Sequence, residues 1–322
     1  MARVFVSCVL PGDAVDRLAR EHDVVVGKER VGVGSDAFVR DAATFDAIVS
    51  LFNDPIDSAL LDRAPRLRLV ANFAVGYDNV DVSACAARGI VVTNTPGVLT
   101  EATADLAFGL LLSTARRITE GDRLVRRGIF QGLTPSFLVG APVHGTTLAL
   151  VGLGRIGQAM ARRARGFGMC VIYTSRTRAP LDVERSLGVT AVEMDESFAR
   201  ADFVSLHCPL TPETRHLVNA ARLAGMKPGA ILVNTTRGAV VDEAALAMAL
   251  AQGPIGGAGL DVYEDEPRVH PALLGLENVV LAPHIGSADR PTREAMARIA
   301  VDNVLAVLAG RAALNPVVVA RG

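Results

Sequence analysis

Short runs of β-branched and apolar residues alternate along the N-terminal part of the chain with longer stretches that have helical periodicity. The runs are residues 4–9, 24–27, 47–51, 67–72 and 90–93. Each run has the length of a strand, and an amphipathic stretch separates it from the next. Strands that alternate with helices in this way predict a parallel sheet covered by helices.

A second series with the same alternation follows further along the chain. Its predicted strands are residues 147–151, 170–173, 203–206, 230–234, 257–261 and 279–282. Two long helical segments, 100–117 and about 290–309, lie on either side of this series, and residues 315–319 form a strand-like tail. The pattern predicts an α/β fold with two Rossmann-like, doubly wound parallel-sheet domains joined by two long helices.

The charge balance and the hydropathy exclude two classes of partner. The 322 residues include 33 Lys and Arg against 34 Asp and Glu, so the formal net charge of −1 provides no global field for nucleic acid or an anionic membrane. The mean hydropathy is +0.33, but Gly, Pro or polar residues interrupt every long uncharged stretch. We therefore expect no membrane span, which needs about 20 apolar residues.

The cysteines indicate a reduced environment. Cys8, Cys85, Cys170 and Cys208 are far apart, form no C-x-x-C pair and have no histidine spacing typical of zinc. The N-terminus has one basic residue and lacks the apolar core and cleavage site of a signal peptide. We expect a cytoplasmic protein without a metal site.

A glycine-rich motif carries the sharpest chemical signal. Gly152, Gly154 and Gly157 form a G-x-G-x-x-G pattern that follows a predicted strand and opens a helical run. Gly152 would permit a tight turn, Gly154 a close approach of pyrophosphate, and Gly157 the packing of helix on strand. A glycine-rich turn without a ligand is the alternative. The predicted cofactor contacts here are Gly152, Leu153, Gly154, Arg155, Ile156 and Gly157.

The end of the next predicted strand indicates which dinucleotide would bind. An NAD-binding unit places a carboxylate about 20 residues after the glycines to bind the ribose 2′-hydroxyl. This chain has Ser175, Arg176, Thr177 and Arg178 instead. Hydroxyl groups and guanidinium groups suit a 2′-phosphate, which favours NADP(H) over NAD(H). The alternative is that both arginines are ordinary surface charges.

Arg237, Glu266 and His284 follow the last three predicted strands. Ligands of an open parallel sheet bind beyond the carboxyl ends of its strands, so these side chains are expected to converge. The Arg237 fork suits a carboxylate, His284 could donate a proton to a developing alkoxide, and Glu266 would orient the imidazole. Singly, each could be a salt-bridge residue, a solvated charge or a strand-end residue; their common placement favours catalysis.

These motifs together resemble a known family. Residues 152–157, 234–238, 261–267 and 283–287 are similar to the signature motifs of the D-isomer-specific 2-hydroxyacid dehydrogenases, and the resemblance covers essentially the whole chain. It extends to residues 74–81 and 103–107. Within the family, residues 70–78 and 173–178 most resemble the glyoxylate/hydroxypyruvate reductases.

The resemblance implies hydride transfer from NAD(P)H to small 2-oxo acids, with roles for particular residues. Arg237 would bind the substrate, His284 would be the acid/base, and Glu266 would support it. The backbone N–H groups of Val75 and Gly76, with Leu51 nearby, would meet the substrate carboxylate. The further cofactor contacts it implies are Thr103, His207, Cys208, Pro209, Thr214, Thr235, Thr236, Arg237, Asp261, His284 and Gly286. For Asp261, capping of the following loop is the alternative.

The resemblance also implies an organisation and leaves alternatives open. Residues 1–99 with 288–322 would form the substrate (catalytic) domain and residues 100–287 the dinucleotide-binding domain of a homodimer, in which Phe137 of the partner subunit reaches the substrate. The alternatives are a 2-ketogluconate reductase and a nucleotide-sensing binding protein like the corepressors that share this fold.

Overall fold

The computed structural model describes residues 1–27 and 32–317 of the chain. Two compact units make up the chain, one from Met1–Leu99 with Ser287–Gly322 and one from Thr100–Gly286. We call them the first and the second unit. Val318 and Val319 of the predicted tail lie outside the described residues.

The first unit is built on a five-stranded parallel sheet with the order β2-β1-β3-β4-β5. Its strands are β1 (Arg3–Val6), β2 (Asp23–Val26), β3 (Ala47–Ser50), β4 (Leu69–Asn72) and β5 (Val91–Thr93). Its helices are α1 (Ala14–Ala19), α2 (Asp36–Asp41), α3 (Ser58–Arg63), α4 (Val82–Ala87) and, from the C-terminal segment, α13 (Arg290–Leu308). The strands β3 and β4 are buried throughout because helices cover both faces of a parallel sheet.

Short polar side chains and aromatic rings shape this unit. Asp57 and Asp81 each accept a hydrogen bond from a backbone N–H of the helix that follows, which satisfies a donor that the helix itself leaves unpaired. Phe5, Phe38 and Phe45 pack in the core with ring centroids 5.0 to 5.7 Å apart. After α13 the chain returns to the sheet, where Val317 N donates to Val92 O at 2.8 Å.

The second unit contains a seven-stranded parallel sheet with the order β12-β11-β10-β9-β6-β7-β8. The strands are β6 (Thr147–Val151), β7 (Cys170–Thr174), β8 (Val189–Ala191), β9 (Phe203–Leu206), β10 (Ile231–Asn234), β11 (Gly257–Leu260) and β12 (Val279–Leu281). The order reverses at β6, whose neighbours are β7 and β9. Ligands of doubly wound sheets bind at such a switch point, beyond the carboxyl ends of the strands.

The helices of the second unit lie between these strands, apart from two that precede β6. They are α5 (Thr100–Ala115), α6 (Ile118–Arg126), α7 (Arg155–Gly166), α8 (Leu181–Leu187), α9 (Met194–Arg200), α10 (Ala220–Ala224), α11 (Glu243–Gln252) and α12 (Pro271–Leu274). Half of the residues of α5 are buried, whereas α6 has no buried residue.

The prediction of two parallel α/β sheets is confirmed, and the differences are local. Most strands end or begin within a few residues of their predicted bounds, since terminal residues lack ladder hydrogen bonds. The sequence pattern missed β8, which is a three-residue edge strand, and α6, whose apolar residues face outward. No helix in residues 1–27 or 32–317 is long and apolar enough to cross a membrane.

Candidate active site

The loops that carry Arg237, Glu266 and His284 all belong to the second unit. They follow β10, β11 and β12, which are adjacent strands of one parallel sheet, and they leave it at the carboxyl edge. Parallel pairing therefore brings together three segments that are remote along the chain.

Glu266 and His284 form a carboxylate–imidazole pair. Glu266 Oε2 lies 2.8 Å from His284 Nδ1, and Glu266 Oε1 accepts a hydrogen bond from Tyr263 N at 3.0 Å. An ionised carboxylate only accepts hydrogen bonds, so the proton of this contact belongs to Nδ1. The pair fixes the ring orientation and leaves Nε2 as the nitrogen for proton exchange. About a quarter of each side chain is exposed, which leaves the pair within reach of a small ligand.

Asp261 holds the turn that presents His284. The φ angle of His284 is +54°, a left-handed conformation that costs a non-glycine residue on the order of 1 kcal/mol. Asp261 O accepts from His284 N at 2.8 Å, and the carboxylate accepts from Ile285 N at 2.7 Å and Gly286 N at 2.8 Å. Burial raises the pKa of this carboxyl, and the two N–H groups oppose the shift. The loop-capping role that the sequence left open is therefore present; a cofactor contact stays a prediction.

Arg237 lies in a segment that its own neighbours tie down. Asn234 Nδ2 donates to Arg237 O at 2.9 Å, and Asn234 Oδ1 accepts from Thr236 N and Thr236 Oγ1. Arg237 Nη1 donates to Thr236 O at 2.9 Å. The next residue, Gly238, packs so closely that a Cβ there would lie 1.8 Å from the carbonyl carbon of Tyr263. The Arg237 segment thus contacts the loop that carries Glu266 directly.

The glycine-rich loop has the shape that a dinucleotide requires. Gly152 has a φ of +103°, and a Cβ at this position would lie 2.7 Å from His207 O. A Cβ at Gly157 would lie 2.2 Å from Gly152 O, whereas one at Gly154 would meet nothing within 4 Å. Gly154 is also the N-cap of α7 and has no side chain to cap the first N–H groups. Open space at an uncapped helix N-terminus fits a pyrophosphate group.

The loop after β9 lies against these glycines. Its two titratable side chains, His207 and Cys208, are uncharged. His207 Nε2 lies 2.9 Å from Ser205 Oγ, and burial lowers the pKa of the ring to about 3, so the ring is neutral. Burial raises the pKa of the Cys208 thiol to about 11, which argues against a thiolate nucleophile. Thr214 Oγ1 donates to Pro209 O at 2.7 Å and pins the loop.

Other predicted cofactor residues lie nearby in the second unit. Thr103 on α5 contacts the Gly286 turn, since a Cβ on Gly286 would lie 3.6 Å from Thr103 Oγ1. The hydroxyl of Thr235 is buried and has no hydrogen-bond partner within the described ranges. Such a buried, unsatisfied group is typical of a ligand site.

The two arginines after β7 are not equivalent. Arg178 donates to Glu184 at 2.8 and 3.0 Å, and Tyr173 Oη donates to the same carboxylate at 2.7 Å. Arg178 and Tyr173 lower the pKa of Glu184 to about 2. Arg176 is exposed and has no ion pair in the part of the chain that the structure describes, while Ser175 Oγ donates to Thr177 O at 2.6 Å. The sequence reasoning treated both arginines as available and missed Glu184, which lies on α8 beyond the motif.

The predicted residues of the first unit lie after β3 and β4. The carbonyl groups of Val75 and Gly76 accept hydrogen bonds from Asn94 and Asn72, each at 2.8 Å. Within the described residues, their backbone N–H groups donate to no acceptor. The backbone of Leu51 is fully used, because its N–H donates to Asp54 and its carbonyl accepts from Asn79.

Phe137 lies in the second unit, between α6 and β6. Its ring centroid is 5.9 Å from that of Phe130, which is half exposed. This aromatic pair belongs to a segment rich in exposed apolar side chains.

Sequence reasoning missed residues that hold the site from behind. Tyr263 donates its N–H to Glu266 and its hydroxyl to Ala282 O at 2.8 Å, so it connects the loop of the carboxylate to the strand that precedes His284. Its position inside the motif that runs from Asp261 to Glu266 was the available signal. No cluster of three or more histidine, cysteine or acidic side chains suited to a metal ion occurs in residues 1–27 and 32–317.

Comparison with known proteins places this geometry in a family. Residues 108–286 match the model of the D-isomer-specific 2-hydroxyacid dehydrogenase NAD-binding domain. A glyoxylate reductase of Thermococcus litoralis is 47% identical over 312 residues, which are 96% of this chain and 94% of that protein.

Solved structures agree with the sequence relatives. An NADPH-dependent glyoxylate/hydroxypyruvate reductase from Sinorhizobium meliloti, in complex with NADP and malonate, is 41% identical with a TM-score of 0.88, over 98% of this chain and 96% of that one. A glyoxylate reductase from Paecilomyes thermophila is 32% identical with a TM-score of 0.87, over 98% of both chains.

Proposed function

Because the chain belongs to the D-isomer-specific 2-hydroxyacid dehydrogenase family, we propose that it reduces small 2-oxo acids such as glyoxylate and hydroxypyruvate to 2-hydroxy acids. The observation that carries the proposal is the 2.8 Å contact between His284 Nδ1 and Glu266 Oε2, on the sheet edge that also carries the glycine-rich loop. An oriented proton donor at a dinucleotide fold suits carbonyl reduction.

The second unit is the proposed cofactor-binding unit. A bound nicotinamide dinucleotide would supply the hydride. The backbone around Gly152, Gly154 and Gly157 and the N-terminus of α7 would hold its phosphates, since this helix end has no capping side chain. The hydroxyl of Thr235, buried without a partner in the described ranges, is a further group that a ligand would satisfy.

His284 is the proposed proton donor. Its Nε2 would protonate the substrate oxygen, while Glu266 stabilises the imidazolium and keeps the proton of Nδ1 in place. Asp261 and Tyr263 keep the two loops in register. Reduction therefore requires the protonated ring when the hydride reaches the carbonyl carbon.

The substrate carboxylate has two proposed kinds of donor. The Arg237 guanidinium offers a planar fork that suits a carboxylate and can polarise an adjacent ketone. In the first unit, the backbone N–H groups of Val75 and Gly76 donate to no acceptor in the described residues and suit the oxygens of a carboxylate. Leu51 follows the neighbouring strand, and its backbone is held by hydrogen bonds with Asp54 and Asn79.

A substrate panel tests the proposed function. Glyoxylate, hydroxypyruvate, pyruvate and 2-ketogluconate are each offered with NADPH and with NADH, and oxidation of the cofactor is followed by absorbance. We expect the highest kcat/KM with glyoxylate or hydroxypyruvate. Preference for 2-ketogluconate would replace the proposal by a 2-ketogluconate reductase, and tight cofactor binding without turnover would replace it by a nucleotide sensor.

For the cofactor we propose a preference for NADP(H), supported by Arg176. It is the exposed arginine after β7 without an ion pair in the described ranges, and Ser175 and Thr177 supply hydroxyl groups beside it. Arg176→Ala is expected to weaken NADPH binding about 10-fold and to leave NADH binding within about 2-fold, measured by fluorescence titration. Arg178→Ala is the matched control, because its charge is already paired with Glu184. Equal effects on both cofactors would remove the assignment.

We also propose a homodimer formed through the second unit. The segment from α6 to β6 exposes large apolar side chains, at Ile118, Val125, Ile129, Phe130, Leu133 and Val139. An apolar patch of this extent is typical of an association surface, where Phe137 would be contributed to the partner. Val125→Asp is expected to shift the sedimentation coefficient to that of a monomer, whereas Val39→Asp on the first unit is not; a wild-type monomer would exclude the dimer.

The proposed location is the cytoplasm. Cys85, Cys170 and Cys208 form no disulfide bond within the described residues. Reduced thiols are typical of a reducing compartment.

A further inference from the structure

A buried carboxylate that the proposed chemistry does not use lies behind the loop of Glu266. Glu243 is the first residue of α11 and is only 6% exposed. No lysine or arginine forms an ion pair with it within the described ranges. An acidic side chain is rarely buried without a cation, so its position needs a specific reason.

The hydrogen-bond partner of Glu243 is a backbone group close to Glu266. Its Oε1 accepts a hydrogen bond from Glu264 N at 2.8 Å. Glu264 precedes Glu266 in the same loop. A single side chain on a helix thus fastens the backbone of the segment that carries Glu266.

Movement of this loop would be transmitted to His284. Glu266 Oε1 is bound to Tyr263 N, the residue next to Glu264, while Glu266 Oε2 is bound to His284. Gly238 also packs against the backbone of Tyr263 and Glu264. Both Glu266 and the Arg237 segment therefore contact the backbone at Tyr263 and Glu264, which Glu243 anchors.

Several nearby groups act on the pKa of the Glu243 carboxyl. Burial raises its pKa, and the Glu264 carboxylate adds to this shift, while the N–H group of Glu264 and the nearby His270 oppose it. The cost of burial is offset by the hydrogen bond from Glu264 N, since no cation is paired with the group in the described residues.

We propose that Glu243 is a positioning residue for the reaction, which holds the 263–270 loop so that Glu266 stays against His284. Its kinetic consequence rests on the proposed function, whereas its effect on the Glu266–His284 contact does not. Glu243 contacts neither side chain of that pair and acts through the backbone of the loop.

The first test is spectroscopic and needs no substrate. The Nδ1 proton of His284, bound to Glu266, is expected to give a downfield proton NMR signal, assigned by its loss in Glu266→Gln and its retention in His216→Gln. Glu243→Ala is expected to abolish or broaden this signal. Asp242→Ala is the matched control: it removes the N-cap of the same helix and leaves the loop contacts in place. An unchanged signal in Glu243→Ala would overturn the proposal.

The second test is a double-mutant cycle in glyoxylate reduction. Glu243→Ala is expected to lower kcat/KM about 10-fold, Glu243→Gln, which keeps one acceptor oxygen, about 3-fold, and Asp242→Ala less than 2-fold. In the Glu266→Gln background, Glu243→Ala is expected to cause no further loss, because both substitutions remove the same contact. A full additional loss there, or equal losses in Asp242→Ala, would assign Glu243 a merely structural role. If Glu243→Ala does not fold, Glu243→Gln carries the same comparison.

The two tests separate the two proposals. A lost NMR signal together with a chain that turns over none of the 2-oxo acids would contradict the proposed function and retain the positioning role. Normal turnover of 2-oxo acids together with an unchanged NMR signal in Glu243→Ala would retain the proposed function and contradict the positioning role.

Discussion

Within the described residues, one loop carries two carboxylates that each contact an imidazole, and we propose a catalytic role for only one of these pairs. Glu266 meets His284 and Glu264 meets His216, and both contacts are 2.8 Å long. Both histidines have left-handed φ angles, +54° and +50°. Distance and backbone strain therefore do not distinguish the pairs.

What surrounds each carboxylate does distinguish them. Glu264 Oε1 also accepts from Arg215 Nη2 at 2.7 Å, so a guanidinium shares its charge, whereas the second oxygen of Glu266 accepts a backbone N–H and no charged donor among the described residues. His284 is held at the end of β12 by a buried aspartate, while His216 lies in the connection from β9 to α10. A carboxylate–histidine contact is a catalytic signal only where its charge is not already neutralised and its ring is fixed at the ligand edge of the sheet.

The largest expected contrast is between the two imidazoles. His284→Ala is expected to lower kcat for glyoxylate reduction about 100-fold to 10,000-fold, because it removes the proton donor. His216→Ala is expected to stay within about 2-fold. The measurement is steady-state kinetics with saturating cofactor. A near-wild-type rate in His284→Ala would remove the acid from the mechanism.

The guanidinium groups near the pairs give the next contrast. Arg237→Lys is expected to lower kcat/KM about 10-fold to 100-fold, because a point charge cannot reproduce two parallel hydrogen bonds to a carboxylate. Arg215→Lys preserves the charge near Glu264 and serves as the control. Similar losses in both variants would mean that Arg237 supports the fold and does not bind substrate.

Replacing each of the two carboxylates by an amide tests the comparison further. Glu266→Gln removes the charge that stabilises the imidazolium and is expected to lower kcat/KM for glyoxylate reduction about 10-fold. Glu264→Gln is expected to stay within about 2-fold. Both variants are measured by steady-state kinetics; a loss in Glu264→Gln alone would reverse the assignment of the two pairs.

His207 adds a third case, an imidazole with a hydroxyl partner, and the expected effect is on stability. Its pKa is lowered from 6.5 to about 3 by burial, so between these values the unfolded chain binds a proton that the folded chain does not. Folding stability contributed by the neutral ring is complete above pH 6.5 and is lost as the pH falls through this window. His207→Gln is expected to flatten this part of the stability profile, measured by urea unfolding from pH 7 to 4. An unchanged slope would show that the ring titrates normally.

Much of the site was predictable from local pattern. The glycine-rich loop could be predicted because it requires residues without side chains at fixed positions between a strand and a helix. The position of the loops of Arg237, Glu266 and His284 at one sheet edge was predictable because these loops follow parallel strands. α6 was missed although its residues have the amphipathic periodicity of a helix, and none of them is buried within the described residues.

The motif did not predict that Arg178 forms an ion pair while Arg176 forms none among the described residues. The two side chains look alike in the sequence, and the difference depends on Glu184, which reaches Arg178 from α8. Whether a side chain is available or already paired depends on which groups folding brings within about 3 Å.

Strand–helix alternation and glycine spacing were sufficient for the fold class and the dinucleotide motif, because both follow from short-range backbone geometry. The sequence reasoning selected His284, but the contact of each imidazole with its carboxylate and the anchoring of the Glu266 loop by Glu243 are set by contacts between segments distant along the chain. Charge neutralisation and burial act through space, and composition and spacing do not contain those distances.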